Sequence, residues 1–160
     1  MPRIGVTGHM NLTPDSVPLV EKALREALTP YADGDLVGIS CIARGADSIF
    51  AQVVLYLGGQ LEVVLPAAHY REQKVKPDHE SQFDELMSRA SDVRVLPFPA
   101  ANREAYEAAN EALIASCDRL IAVWDGRVGV DKGSTASVVA HARERQVPVD
   151  VVWPAGARRD

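Results

Sequence analysis

The chain has 160 residues, of which 47% are hydrophobic and 24% are charged, and its formal net charge is -5. These proportions are those of one folded domain, and they exclude an intrinsically disordered chain. Nucleic-acid backbones are held by many lysines and arginines, so the acidic balance predicts no nucleic-acid polymer as a partner.

The sequence predicts a cytoplasmic protein with no membrane partner. Residues 1–6 contain no apolar region of the signal-peptide type, and no apolar run approaches the roughly 20 residues of a membrane span. Cys41 and Cys117 lie among aliphatic residues, where cysteine usually packs as a small hydrophobe. A reducing compartment is the simplest setting for two such thiols.

The first half of the chain predicts three strands separated by two helices. The runs RIGVTG (3–8), DLVGISC (35–41) and LEVVLP (61–66) are rich in valine and isoleucine, as buried strands are. Between them, residues 17–28 and 46–57 carry apolar side chains three and four positions apart, the spacing of an amphipathic helix. The pair Gly58-Gly59 is typical of a helix end and predicts the end of the second helix.

The second half continues the alternation after a break. The segment PAAHYREQKVKPD (66–78) contains two prolines and no clear period, which predicts a long surface loop. A helix follows around residues 83–90, and the strand-like runs VRVLP, RLIAVWD and PVDVVW are separated by two further helices. The last residues, AGARRD, are predicted to be frayed.

This alternation of strands and helices predicts an α/β fold. We expect a three-layer Rossmann-like sandwich with a mainly parallel sheet of about six strands, because continuous apolar strands need helices on both faces. Residues 1–160 are expected to form a single domain of this kind.

Ligands of open parallel sheets bind where the carboxyl ends of strands meet helix N-termini, because free backbone N–H groups and the helix dipole attract anions there. Three such junctions in this sequence are unusually small or polar: 7–11, 40–47 and 124–135. In the first, Gly8 lets a ligand approach the backbone, and His9 either bonds a phosphate or base or is a satisfied histidine in a tight turn.

The second junction contains Ala43, Arg44, Gly45 and Asp47. The guanidinium of Arg44 either supplies forked donors to a phosphate or forms a surface salt bridge. Asp47 lies in the first turn of the following helix, where a carboxylate stabilises the helix dipole even without a ligand. The residues of this junction are therefore compatible both with a phosphate site and with purely structural roles.

The third junction contains Asp125 and Gly126, and it ends in Gly133, Ser134 and Thr135. A hydroxyl before a helix is explained by capping alone, but three glycines in eight residues keep Cβ atoms out of a cleft. This junction therefore predicts a cradle for a nucleotide phosphate.

Four segments of the chain resemble the SLOG superfamily, which groups the Smf/DNA-processing protein A domain with the Lonely Guy phosphoribohydrolases. They are RIGVTGH at the start, ARGAD after the second strand, LEVVLP, and CDRLIAVWDG with KGSTASVVAHAR near the end, so the resemblance spans residues 3–152. It implies a Rossmann-like domain that binds nucleotides or nucleotide-derived molecules. It also implies that Gly8 and His9 line the floor of the site, that residues 43–47 form one wall, and that residues 133–135 hold the phosphate.

The sequence departs from the phosphoribohydrolases of this superfamily at their catalytic motif, Pro-Gly-Gly-x-Gly-Thr-x-x-Glu. With the threonine of that motif set on Thr135, Val138 occupies the glutamate position and Ser134 the last glycine position. Valine cannot act as a general base, so cleavage of an N-glycosidic bond would need Asp47, Asp125 or Asp131 instead.

Two functions follow from these residues and the resemblance. The first is binding or sensing of a nucleotide-like small molecule, and the alternative is an N-glycosidase that uses a loop carboxylate. The resemblance also implies a homodimer, which we expect to form through the fourth and fifth predicted helices, and no cofactor is expected.

Other polar groups give weaker indications. The spacing of His69, His79 and Glu80 fits no recognised ligand pattern, so no metal site is expected. Lys132 lacks the surrounding pattern of a phosphate-loop lysine, which excludes an ATPase of that type. Aromatic rings at 70, 106 and 124 either stack on a base or pack, and two cations of the 66–78 loop, at 71 and 74, are candidates for contacting negative charge.

Overall fold

The computed structural model describes residues 2–127 and 135–160. Within them the strands are Arg3–Gly8 (β1), Val37–Ser40 (β2), Gln60–Leu65 (β3), Asp92–Val95 (β4), Arg119–Val123 (β5) and Val149–Val152 (β6). The α-helices are Val17–Leu28 (α1), Ala46–Tyr56 (α2), Tyr70–Lys74 (α3), Glu80–Arg89 (α4), Arg103–Ser116 (α5) and Thr135–Glu144 (α6). A 3-10 turn over Thr29–Tyr31 follows α1.

The strands form one parallel sheet in the order β4-β3-β2-β1-β5-β6. The chain builds outward from β1 to β4 and then returns to add β5 on the other side of β1, where Gly8 pairs with Val123. The predicted α/β fold with a parallel sheet of six strands is confirmed. The reversal of strand order between β1 and β5 leaves a crevice at their carboxyl ends, the usual ligand position in such sheets.

Helices cover both faces of the sheet. Helices α1 and α2 pack on β1 and β5 through a cluster that includes Leu24, Phe50 and Val54, and α4 extends this layer over β3. Helices α5 and α6 cover the opposite face through residues such as Leu113 and Ala142. Burying each such side chain stabilises the fold by about 1.5–3 kcal/mol, which is why the strands are apolar on both faces.

The segment predicted as a surface loop, residues 66–78, contains the short helix α3, and its first residue, Tyr70, is only 6% exposed. Tyr70 packs against Phe83 of α4 with ring centroids 6.1 Å apart. A single anchoring aromatic has no periodicity, so the sequence pattern did not indicate this helix.

The C-terminal residues are packed rather than frayed, contrary to the sequence prediction. Leu12 and Arg159 form an antiparallel bridge, and the Asp160 N–H donates to the Asn11 carbonyl at 2.9 Å. The Arg158 N–H donates to Ser16 Oγ at 2.7 Å. These contacts join residues more than 140 positions apart, and no local pattern can indicate them.

Among the helices of the described residues, none is both long and apolar enough to cross a membrane.

Candidate functional site

A cleft of about 610 Å³ lies at the carboxyl edge of the sheet, over the ends of β1, β2 and β3. The beginnings of α2, α5 and α6 and the short helix α3 surround it, so its walls come from distant parts of the chain. It is lined by Thr7, Gly8, Met10, Cys41, Ala43, Asp47, Pro66, Tyr70, Lys74, Ala101, Asn102, Arg103, Tyr106, Glu107, Ala109, Asn110, Thr135 and Val138.

The floor of the cleft depends on two glycines that allow α2 to approach β1. A Cβ atom at Gly8 would lie 2.5 Å from the Cβ of Ala46, and one at Gly45 would lie 2.6 Å from the His9 carbonyl oxygen. Gly45 also has a φ of +83°, a conformation that side chains rarely adopt. The Ala46 N–H donates to the His9 carbonyl at 3.1 Å, which fixes the start of α2 against the loop after β1.

The loop between β2 and α2 is held by hydrogen bonds beneath the cleft. Ser40 Oγ donates to the Asp47 carbonyl at 3.0 Å and accepts from the Ile42 N–H at 3.0 Å. Ile42 has a φ of +45°, and its carbonyl lies 3.2 Å from the Nε2 of the buried His79 and 3.3 Å from Ser48 Oγ. A strained residue persists only where its surroundings hold it, and here these bonds set the positions of the residues on either side of it.

Asp47 places a carboxyl group in the cleft with an unusual proton affinity. Protein atoms enclose the carboxyl although the residue keeps partial solvent contact, and this burial raises its pKa to about 7 against the lowering effect of the Ala43 amide. No lysine, arginine or histidine of the described residues forms an ion pair with it. A carboxyl with a pKa near neutrality can either donate or accept a proton at physiological pH.

Two further acidic groups lie close to Asp47. Burial, followed by the charge of Asp47, raises the pKa of the Cys41 thiol far above its usual value. The pKa of the Tyr70 phenol is raised by burial and then by Tyr106, Asp47 and Cys41. The raised pKa values keep the Cys41 thiol and the Tyr70 phenol protonated and uncharged near neutral pH, so of these three groups only Asp47 can carry a negative charge, and Cys41 is held as an unreactive thiol.

Two aromatic rings form a wall of the same cleft. Tyr70 and Tyr106 meet edge to face, with ring centroids 6.2 Å apart and an interplanar angle of 78°. Tyr106 is 36% exposed, so part of its ring is open to the cleft. An exposed aromatic ring beside a polar group is the combination that binds a planar heterocycle.

Helix α5 contributes several lining residues, of which the sequence analysis had considered only Tyr106, as a ring that either stacks on a base or packs. Arg103, Tyr106, Glu107 and Asn110 recur at three- and four-residue spacing, so they lie on one face of the helix. Asn102 caps this helix, its Oδ1 accepting from the Ala105 N–H at 2.9 Å. The signal for this wall was a polar stripe on one helix face, which alone is indistinguishable from a solvated surface.

The structure brings four of the predicted site residues together in the cleft: Gly8, Ala43, Asp47 and Thr135. Thr135 is the first residue of α6 and is 9% exposed, and Val138, one turn later, is 6% exposed in the same wall. Gly133 and Ser134, which were predicted to hold the phosphate, and Asp131 lie outside the described residues. The predicted phosphate cradle therefore stays a prediction.

His9 and Asp125 lie beside the cleft rather than in its lining, in a buried network with the C-terminal segment. The Nε2 of His9 lies 3.4 Å from Asp125 Oδ1, and its Nδ1 lies 3.3 Å from a guanidinium nitrogen of Arg159. The Asp125 backbone N–H donates to Nε2 at 3.2 Å, so this ring nitrogen accepts a hydrogen bond from the main chain at the end of β5. Burial and then the Arg159 charge lower the pKa of His9, so the neutral form is favoured.

Asp125 has a lowered pKa although burial opposes it, because the Arg127 amide, His9 and Arg159 all stabilise the carboxylate. Arg159 Nε donates to Asp125 Oδ2 at 2.8 Å, so both sides of this carboxylate are occupied. Gly126, next in the chain, is exposed with a φ of +82°. This pairing makes Asp125 a structural contact between the end of β5 and the C-terminal segment.

The remaining predicted cations separate into two groups. Arg44 forms an ion pair with Asp78 and lines a neighbouring pocket of about 310 Å³ instead of the main cleft. Arg71 is paired with Asp84 at 2.7 Å, whereas Lys74 is exposed, lines the main cleft and has no ion pair within the described parts of the chain. Lys74 is therefore the cation of the 66–78 segment that lines the main cleft, whereas the exposed Lys76 lines the neighbouring pocket.

The described residues contain no group of three histidine, cysteine, aspartate or glutamate side chains arranged to hold a metal ion. His79 instead serves the β2–α2 loop, as described above.

No protein-family model and no curated protein sequence matches this chain. Solved structures with the same fold include DNA processing protein A from Helicobacter pylori, whose structure is described as revealing a single-stranded DNA binding mode. That protein is 19% identical, and the match has a TM-score of 0.70 and covers 99% of this chain and 68% of that one. DNA processing protein A from Streptococcus pneumoniae is 18% identical with a TM-score of 0.67, and the match covers 94% of this chain but only 50% of that one.

A molybdenum cofactor binding protein from the phototrophic bacterium Rippkaea orientalis also has this fold. It is 21% identical, with a TM-score of 0.60, and the match covers 94% of this chain and 75% of that one. These likenesses confirm the resemblance to SLOG proteins at the level of the fold. The fold therefore occurs both in a protein that binds single-stranded DNA and in a protein that binds the molybdenum cofactor.

The prediction that nucleic-acid polymers are excluded as partners is wrong. The Helicobacter pylori protein shows that this fold supports single-stranded DNA binding. The inference failed for a physical reason: net charge is summed over the whole surface, whereas a strand is bound by a local groove with its own charges and aromatic rings.

Proposed function

We propose that this protein binds a nucleotide or nucleotide-derived small molecule in the cleft at the carboxyl edge of its sheet. The observation that carries the proposal is the joint presence, in one cleft of about 610 Å³, of the partly exposed Tyr106 ring, the Asp47 carboxyl and Lys74, which forms no ion pair with another described residue. A planar base, its polar edge and a phosphate would each find a complementary group there.

The size and composition of the cleft support this assignment. Small-molecule sites usually have about 300–1,000 Å³ and combine apolar walls with a few polar groups. The Rippkaea orientalis protein of the same fold is a molybdenum cofactor binding protein, so a small-molecule ligand is compatible with this fold.

Binding can be tested by calorimetry on the full chain with nucleoside monophosphates, ADP-ribose, cyclic dinucleotides and a short single-stranded oligonucleotide. Tyr106→Leu should lower the affinity for the ligand about tenfold, because stacking of a base on an aromatic ring contributes about 1–3 kcal/mol. Tyr56→Leu is the matched control, since Tyr56 is 74% exposed at the far end of α2. The proposal fails if none of these ligands binds to the unmodified protein.

A second candidate function, cleavage of an N-glycosidic bond, is favoured by Asp47 specifically. A carboxyl with a pKa of about 7 is suited to protonate a departing base, whereas Val138 offers no acid or base in the same wall. Base release from nucleoside monophosphates, followed by chromatography, should then disappear in Asp47→Asn but persist in Asp33→Asn, which changes an exposed carboxylate before β2. Absence of released base at high protein concentration would exclude this candidate.

We also propose that the protein forms a homodimer through α5 and α6, and that it is cytoplasmic. Glu111 of α5 pairs with His141 and Arg145 at the end of α6, so these two helices form one continuous surface. Sedimentation that detects only monomer at micromolar concentration would remove the dimer from the proposal.

A further inference from the structure

We propose that Asp47 selects ligands whose heterocycle presents two adjacent N–H donors, the edge formed by N1–H and the 2-amino group of guanine. The same 2-amino-4-oxo edge occurs in pterins, so the class of ligand is defined by this edge. The inference rests on the proposed function, because it names the ligand class of the same cleft.

The contacts of Asp47 lead to this assignment. Within residues 2–127 and 135–160 the Ala43 amide is the donor that lowers the pKa of this carboxyl, and no cation of these residues pairs with it. An ionised carboxylate accepts hydrogen bonds at two oxygens, and leaving them unfilled in a partly dehydrated site is unfavourable. A ligand with two parallel N–H donors fills both oxygens at once.

The distribution of charge in the cleft gives the ligand one orientation. At pH 8 the ionised Asp47 lies in the buried part beside the uncharged Cys41 thiol and Tyr70 phenol, so a phosphate there would meet a negative charge in a partly dehydrated site. Lys74, Arg103 and Glu107 are exposed lining residues, and Arg103 pairs with Glu107 at 3.5 Å, so among the described residues Lys74 supplies the uncompensated positive charge at the rim. The heterocycle therefore enters first, beside the Tyr106 ring, and the phosphate remains outside.

Other bases do not match this arrangement. Adenine presents one N–H donor next to an acceptor nitrogen, and that acceptor would face a carboxylate oxygen. Hypoxanthine keeps the N1–H but lacks the amino group, so it fills only one of the two oxygens. A paired, bidentate contact with a base edge discriminates by about tenfold to a hundredfold.

The test is calorimetry on the full chain with GMP, IMP, AMP and neopterin at pH 8, where Asp47 is ionised. We expect GMP to bind at least tenfold more tightly than IMP and AMP. Neopterin binding in place of GMP would assign the site to pterins, and the reverse would assign it to guanine nucleotides; either result supports recognition of the shared edge.

Asp47→Asn provides a readout that simple damage to the fold would not produce. An amide presents one acceptor and one donor, which complement adenine, so this variant should lose the preference for GMP and bind AMP more tightly than the unmodified protein does. Asp33→Asn, the exposed control at the amino edge of the sheet, should keep the preference for GMP.

The possible failures are distinguishable. If no nucleotide or pterin binds to the unmodified protein, the proposed function itself is wrong. If nucleotides bind but GMP and IMP have equal affinity, or if Asp47→Asn weakens every ligand equally, binding stands and the role of Asp47 as selector is wrong.

Discussion

Replacing Asp47 by asparagine should stabilise the folded protein, although it alters a residue in the candidate site. The folded structure raises the pKa of this carboxyl from 3.8 to about 7, because burial disfavours its charged form. Its ionisation therefore weakens the folded state, and an uncharged amide of the same shape removes that cost while still accepting from the Ala43 amide.

The size of the effect follows from the pKa. Each tenfold change in proton affinity corresponds to about 1.4 kcal/mol, so a rise from 3.8 to about 7 corresponds to about 4 kcal/mol when Asp47 is fully ionised. The cleft leaves the carboxyl in partial contact with solvent, and solvent screening reduces such energies. We expect a gain of about 2 kcal/mol, which for a chain of this length raises Tm by about 4–8 °C.

The stabilisation by Asp47→Asn should increase with pH. Below the unfolded pKa of 3.8, Asp47 is protonated in the folded and the unfolded state, so the substitution has no electrostatic effect on stability. Between about pH 4 and pH 7 the stabilisation by Asp47→Asn grows, and above pH 7 it is complete. Urea unfolding of both proteins at pH 4, 6 and 8 measures this difference. Equal stabilities at pH 8, or a difference that does not change with pH, would refute the reasoning.

Asp125→Asn is a matched control of opposite sign. The pKa of Asp125 is lowered in spite of burial, since the Arg127 amide and the neighbouring His9 and Arg159 stabilise the carboxylate. Its contribution to stability is present above the unfolded pKa and is lost as the pH falls through the lower folded value. The variant should therefore be less stable than the unmodified protein at pH 6 and 8.

Three further outcomes follow from the structure. In urea unfolding, Gly45→Ala should lower the free energy of unfolding by about 3 kcal/mol or more, because the added Cβ would meet the His9 carbonyl and the residue has a positive φ. The control Gly34→Ala also has a positive φ, of +91°, but has open space around it, so it should lower the free energy of unfolding by only about 1 kcal/mol. Arg159→Gln should raise the pKa of His9 in an NMR titration, since the lost cation was lowering it. Cys41 should react slowly with a thiol reagent at pH 8 in the folded protein and rapidly in urea, because burial suppresses its thiolate.

The sequence by itself determined the strands, most of the helices and the parallel sheet, because apolar spacing is a local property that burial imposes on each element. The run RIGVTG (3–8) coincides with β1, and the spacing of apolar residues over 17–28 coincides with α1. It also located Gly8, Ala43, Asp47 and Thr135 near one edge, because the carboxyl ends of parallel strands always lie together.

Only the tertiary structure decided which polar groups share the cleft. Asp47, Tyr70 and Tyr106 are separated by other elements along the chain and meet because α2, α3 and α5 converge at one edge of the sheet. The pairing of Asp125 with Arg159, which removes that carboxylate from the candidate site, joins residues 34 positions apart across the end of β5. Such contacts, and the burial that raises the pKa of Asp47, arise from packing between elements, and no spacing within a single element contains them.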